Sequence, residues 1–190
     1  MFKITKIINS IVDANIKYPN FSLISNNCWG YEMFKNSSLP YLTPFVGLFL
    51  YPDSYLKLLD NPVYYLNYNL ETVDFNFDEY PIAAIYDIEI HFLHYESIEE
   101  AKVKWNRRRQ RLLQFIDVHG LDSVIIKFCN RDSPTKEQVE KFGSLTYKRK
   151  IYIDGRLSSL LIENEGMVFS GKKLYSLRFL YPLLYRRLFK

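Results

Sequence analysis

Short apolar runs alternate along the chain with longer segments in which apolar residues recur every three or four positions. Residues 21–25 form a short β-rich run ending in Ser25-Asn26-Asn27-Cys28-Trp29-Gly30, and a short helix should follow and stop before Pro40. The run 45–51 (FVGLFLY) is continuously apolar and reads as a strand buried on both faces. Asp53 then stands where it can cap a helix carrying Leu56, Leu59, Val63 and Leu66, which Pro62 kinks or splits. Residues 70–77 are expected as an edge strand, and 82–95 as one long strand or a bent pair.

Ser97 and Glu100 have the spacing of a capping box, opening a helix that runs to about His119-Gly120. Residues 124–129 (VIIKFC) read as another buried strand. Thr135 and Gln138 form a second capping box for a short helix reaching Phe142, and 148–153 alternate as a final strand. From Ser170 to Lys190 the pattern is an amphipathic helix broken near Pro182. Strands separated by helices predict an α/β fold: three layers, α/β/α, around a mainly parallel or mixed central sheet. In such a sheet ligands bind beyond the carboxyl ends of the strands.

Composition narrows the class. At 190 residues, 48% hydrophobic and 17% aromatic, the chain suits one domain with a large core, and Gly and Pro are scarce. No apolar run approaches a membrane span, and the start lacks the features of a secretory signal. With only two cysteines, Cys28 and Cys129, the chain is expected in a reducing compartment, with the cytoplasm as the default. The formal net charge of +4 conceals a gradient. Residues 1–100 hold 5 Lys+Arg against 13 Asp+Glu, residues 101–140 hold 9 against 5, and residues 141–190 hold 11 against 3. Such asymmetry fits either a basic face for an anionic partner or internal pairing of acidic and basic segments.

Four constellations can carry chemistry. At 25–30, two side-chain amides and a thiol meet the mouth of a helix, where free N–H groups favour anions and thiolates. Asn26, Asn27 and Trp29 are candidate substrate contacts there. Cys28 is a candidate nucleophile, although filling a small apolar space is the better reading for its thiol. In 87–94, strand periodicity puts Asp87, Glu89 and His91 on one face, an acid/base set that His94 could extend toward a metal site. The signal for metal is weak, and no metal or cofactor is assigned.

On the helix after Ser97, a buried stripe of Ile98, Ala101, Trp105, Leu112 and Phe115 passes through Arg108. A core-side arginine must meet a carboxylate or an anionic ligand, and Asp87 and Glu89 are its natural protein partners. Arg107, Arg109 and Arg111 read as a solvated basic face. Finally, Arg131 and Asp132 follow a buried strand; if that strand runs parallel to the first, they join Asn26–Cys28 in one pocket suited to phosphate or carboxylate. No glycine-rich phosphate loop, nucleophile elbow or zinc-finger spacing occurs.

At SNNCWG (25–30), TPFVGLF (43–49), DIEIHFLHY (87–95), the Ala101…Trp105…Arg helix and KFCNRD (127–132), the chain resembles a bacterial family of unknown function often labelled exopolysaccharide biosynthesis proteins. The resemblance covers roughly residues 20 to 150 and leaves out the amino-terminal segment and the tail. It implies a surface-polysaccharide context. Family members tend to have Gly where Tyr86 stands and an acidic residue where Asn130 stands, which puts a catalytic role at Asn130 in doubt here.

Together these readings lead to a group-transfer enzyme acting on an anionic or sugar-bearing molecule, such as a nucleotide sugar. His91 or Glu89 would be the base, and Arg108 and Arg131 would hold negative charge. The competing reading is a binding or scaffold protein of a polysaccharide assembly, with the basic tail (171–190) contacting a partner or the inner membrane face. Nucleic-acid binding through residues 107–111 is the least favoured reading.

Overall fold

The computed structural model describes residues 2–14, 21–37, 39–73, 80–154 and 170–189. In chain order the elements are α1 (Phe2–Asp13), β1 (Ser22–Ser25), α2 (Trp29–Ser37), α3 (Pro52–Asp60), α4 (Pro62–Leu66), β2 (Leu70–Thr72), β3 (Ile82–Ile85), β4 (Ile88–His91), α5 (Ile98–His119), β5 (Val124–Cys129), α6 (Lys136–Ser144), β6 (Lys150–Ile153), α7 (Gly171–Ser176) and α8 (Pro182–Arg187).

β1, β5 and β6 form a parallel sheet in the order β1-β5-β6, with Ser25 opposite Lys127 and Cys129 opposite Ile153. Period-two alternation sends its side chains into two cores. Leu23, Ile125, Ile151 and Ile153 join Val12, Trp29, Met33, Leu174, Tyr175 and Tyr185 on one side. Ile24, Val124, Ile126 and Phe128 join residues of α3, α5 and the second sheet on the other. Every residue of β1 and β5 is buried, which is why both runs lack a polar face.

The second sheet is antiparallel, in the order β2-β3-β4. The 82–95 segment is thus a bent pair: it folds at Tyr86, whose φ of 57° ends β3 and starts the hairpin. Of the expected edge strand at 70–77, residues 70–72 are strand, and residues 74–77 lie outside the described residues. A mixture of helices with a parallel and an antiparallel sheet is therefore the observed architecture.

The apolar run 45–51 is not a strand. It makes a single antiparallel bridge, Phe49 with His91, and the Leu50 N–H donates to the Asn26 carbonyl at 3.0 Å. Gly47, at φ +75°, turns the segment so that its carbonyl accepts from the His94 N–H. Its hydrophobicity reflects a strap passing between the edge of β4 and the end of β1, where both neighbours bury it. Asp53 does not cap α3, whose N-cap is Tyr51 with Pro52 at the first helical position; Asn61 caps α4 by accepting from the Tyr64 N–H.

The Thr135–Gln138 box forms in both directions. Ser97 accepts from the Glu100 N–H, while the Glu100 carboxylate reaches back one residue further, to Glu96. The stripe on α5 is buried at Ala101, Trp105, Arg108, Leu112 and Phe115, as its spacing requires. The tail breaks earlier than Pro182 alone predicts, with α7 ending at Ser176. Within the tail, Leu177 and Leu188 are buried but Leu184 is exposed.

Candidate functional site

The parallel pairing of β1 with β5 brings Asn26–Cys28 and Asn130–Asp132 out at one end of the sheet. Between them stands Lys127, with no exposed surface. Its Nζ donates to Asn27 Oδ1 at 2.8 Å, Cys129 Sγ at 3.0 Å and Asn26 Oδ1 at 3.1 Å. Burial pushes its ammonium below the ordinary lysine range, with the nearby Cys129 and Asp132 opposing. Asn27 in turn donates to Cys129 Sγ and accepts from the Trp29 N–H, so the lysine holds the turn that starts α2. Asn26 donates to Asp132 at 3.4 Å, and Asp132 lies 3.8 Å from Arg131. Burial raises the Asp132 carboxyl, against the pull of Arg131 and Lys127.

His91 is buried and stacks on Phe49 of the strap, 4.4 Å between ring centres, with Tyr51 and Tyr80 around it. Glu89 Oε1 lies 2.7 Å from His91 Nε2, off the direction of a hydrogen bond, so both ring nitrogens lack a directed partner. Arg131 lies over the other participant in that stack, Phe49, at 5.7 Å. Asp87 does not share this face. It falls in the hairpin turn before β4 and pairs with Lys57 at 2.5 Å.

On the far side of the strap is an open cleft of about 430 Å³, lined by Cys28, Tyr31, Glu32, Val46, Gly47, His94, Tyr95, Lys104, Arg108 and Lys172. Arg108 reaches it from the buried stripe of α5. Its Nη1 donates to Tyr95 Oη at 2.8 Å, and its guanidinium lies 4.8 Å over the Tyr41 ring. The expected carboxylate partners are engaged elsewhere, Asp87 with Lys57 and Glu89 with His91. Arg108 Nε has no hydrogen-bond partner, although the residue is only 8% exposed. Glu32 also presents a buried, unpartnered oxygen, Oε1.

Cys28 faces the same cleft, and its Sγ donates to the Leu48 carbonyl at 3.6 Å. Burial raises its thiol, and the charges of Arg131 and Lys127 only partly oppose this. At neutral pH it is therefore a thiol. Trp29 is fully buried, with its indole N–H bonded to Tyr181 Oη, and so belongs to the core beneath the cleft.

The fold thus divides the sequence candidates. Cys28 and Arg108 line the cleft; Asn26, Asn27, Arg131, Asp132, Glu89 and His91 gather across the strap; Asp87 and Trp29 belong to neither. Of the participants that escaped the sequence reading, three differ in the signal they carried. Lys127 had a signal, a charged residue inside an otherwise apolar strand. Glu32 stands four residues after Cys28, the spacing that puts two side chains on one helical face. Lys172 had none, because only tertiary packing brings the start of α7 to the cleft. Among the described residues, no group of three His, Cys, Asp or Glu is placed to hold a metal ion, and no helix is long and apolar enough to cross a membrane.

Comparison with known proteins places these residues in a lineage. A family model described as a domain of unknown function (DUF1919) matches residues 2–160, which takes in α1 as well as the segment from 20 to 150. An uncharacterized protein of Haemophilus influenzae is 33% identical over 144 residues, covering 76% of this chain and 66% of that relative. The aligned part of this chain thus spans slightly less than two thirds of that relative's length.

Proposed function

The chain belongs to the family of the domain of unknown function DUF1919, and from that premise we propose that it is a group-transfer enzyme whose anionic, sugar-bearing substrate occupies the cleft beside Arg108. The observation that carries this reading is the state of Arg108: a buried guanidinium at a cleft wall, with one N–H unpaired and no carboxylate partner among the described residues. Leaving a buried cation without an anion costs several kcal/mol, on the order of 3–5. A bound phosphate or carboxylate would recover that cost. Lys172 adds positive charge at the rim, beside Lys104, which is paired with Glu100. Tyr31, exposed at the cleft, offers ring surface to a sugar.

Glu32 completes the reading. It is the carboxylate in the cleft wall, placed to accept a hydrogen bond from a substrate hydroxyl. In this role it would take the hydroxyl proton as that oxygen bonds to the transferred group, while the bond from that group to its phosphate-bearing donor breaks and the phosphate leaves with the electron pair. His91 and Glu89 lie across the strap and would act on the cleft only through the chain that positions Phe49. The surface-polysaccharide context rests on the motif resemblance alone.

The test is thermal stability of the purified protein against nucleotide sugars, sugar phosphates and inorganic phosphate. At least one anionic compound should raise Tm, and Arg108→Ala should abolish the rise while remaining folded. Glu32→Gln should keep the rise and lower turnover by about 100-fold or more in a transfer assay with that compound. A full panel without any shift, or a shift that survives Arg108→Ala, would sink the proposal.

A further inference from the structure

α1 is amphipathic in an unusual sense, because its apolar side faces outward. Ile4, Ile7 and Ile11 are 64%, 62% and 62% exposed, and Ile8 is exposed beside them. At a hundred degrees per residue these four form one stripe. The opposite side is fixed to the body of the protein. Val12 enters the core, Asn9 Nδ2 donates to the Ser176 carbonyl at 2.7 Å, and Asp13 holds Arg178 through two bonds of 3.0 and 2.5 Å. Those anchors prevent the helix from rolling its isoleucines inward.

α8 extends the same surface. Arg186 donates to the carbonyls of Val12 and Ile11 at 3.0 and 2.9 Å, which ties the last turn of α8 to the carboxyl end of α1. One turn before Arg186 stands Leu183, 75% exposed, with Leu184 next to it at 48%. The surroundings are basic. Arg187 is exposed one turn after Leu183 and Leu184, Lys6 is exposed on α1, residues 170–190 contain no Asp or Glu, and Asp13, the only acid on α1, is already paired.

We propose that this face, the isoleucine stripe of α1 with Leu183 and Leu184 of α8, docks on the surface of an anionic lipid bilayer. Aliphatic side chains flanked by Lys and Arg are the composition of a helix that lies in the headgroup region. A protein interface would instead draw its centre from aromatic residues and deplete lysine, and the stripe has no aromatic residue. Sinking the isoleucines into the acyl boundary removes their apolar surface from water, while the basic flank meets lipid phosphates. α1 lies parallel to the bilayer in this arrangement, about 18 Å long for its 12 residues.

The experiment is co-flotation of the full chain with two kinds of vesicle, phosphatidylcholine mixed with phosphatidylglycerol and phosphatidylcholine alone. The wild type should float with the mixed vesicles, much less with the neutral ones, and progressively less as salt rises. An Ile7→Glu, Ile11→Glu double variant alters only exposed positions and should keep its Tm, yet bind at least about tenfold more weakly. Lys6→Glu with Arg187→Glu should weaken binding to the mixed vesicles alone. Binding that the isoleucine variant retains, or no flotation of the wild type, overturns the proposal. So does a dimer in sedimentation velocity that the same variant dissolves in the absence of lipid, which would make a second copy the occupant.

Discussion

Lys127 occupies the middle strand of the parallel sheet with its side chain wholly out of water, satisfied by two amide oxygens and a thiol. Its folded-state pKa lies below the ordinary 10.5, because burial disfavours the charge. Between those two values the unfolded chain binds more protons than the folded one. Stability contributed by this group is therefore full above 10.5 and lost as pH falls through the folded pKa. Lys127→Met removes that dependence and takes the ammonium donor from Asn26 Oδ1, at about 1–3 kcal/mol for an acceptor left unsatisfied, while Asn27 Oδ1 keeps the Trp29 N–H. Urea titrations from neutral pH upward should show the wild type gaining on the variant as pH rises toward 10.5. A gap that stays flat or narrows would mean that the amine is not strained by burial. The same scale holds Arg108: its position on the core stripe was visible in the sequence, but its lack of a carboxylate was not, since Asp87 and Glu89 are taken by Lys57 and His91.

Among the elements, the strap at 45–51 separates sequence from structure most clearly. A continuous apolar run implies burial on both sides, and burial is what the run has, but through one bridge and a few hydrogen bonds instead of a ladder. Gly47 makes that possible. A β-carbon there would meet Tyr95 Cε2 at 3.0 Å, in a conformation that L side chains disfavour by about 1–2 kcal/mol. Gly47→Ala should lower Tm by about 3–8 °C and reduce the thermal response to the cleft ligand, because Gly47 and Tyr95 both line the cleft. A variant with wild-type Tm and response would show that the strap does not shape the site. The hairpin carries the complementary lesson. Period two put Asp87 on a face with Glu89 and His91, and the turn at Tyr86 removed it by starting the strand one residue later.

At the scale of the whole molecule, the carboxyl-terminal segment is part of the core and of the cleft. Leu174, Tyr175, Tyr185 and Leu188 pack with Leu23, Trp29 and Ile125, and Lys172 reaches the cleft wall. Gly171 lies directly on the turn after β1: a β-carbon there would come within 3.0 Å of the Trp29 nitrogen, Asn27 Oδ1 and the Cys28 carbonyl carbon. Because two of these three are backbone atoms, they cannot turn away as a side-chain end could. Gly171→Ala should therefore destabilise the protein by about 2–3 kcal/mol, whereas Lys172→Ala, changing an exposed residue, should leave denaturant midpoints unchanged and weaken only the anion. Equal midpoints for Gly171→Ala and wild type would show that α7 is not seated on this turn. Removing residues 171–190 would take part of a core with it, so single substitutions are the sharper probe of the tail.

What the sequence determined by itself is what local chemistry controls. A short β-rich run marked β1 and a mostly apolar one marked β5, three-and-four spacing marked the buried side of α5 down to Arg108, and Thr135 with Gln138 marked the start of α6. Each depends on neighbours within a turn or a strand. The tertiary structure decided which buried groups meet. Lys127 finds two amides a hundred residues away, the apolar strap lies between two sheets, and the first turn of α7 closes the cleft that Arg108 enters. Periodicity reports that a side chain is buried, but its partner is set by how distant segments pack. A charge in the core stays ambiguous between ion pair and ligand site until those segments are in place.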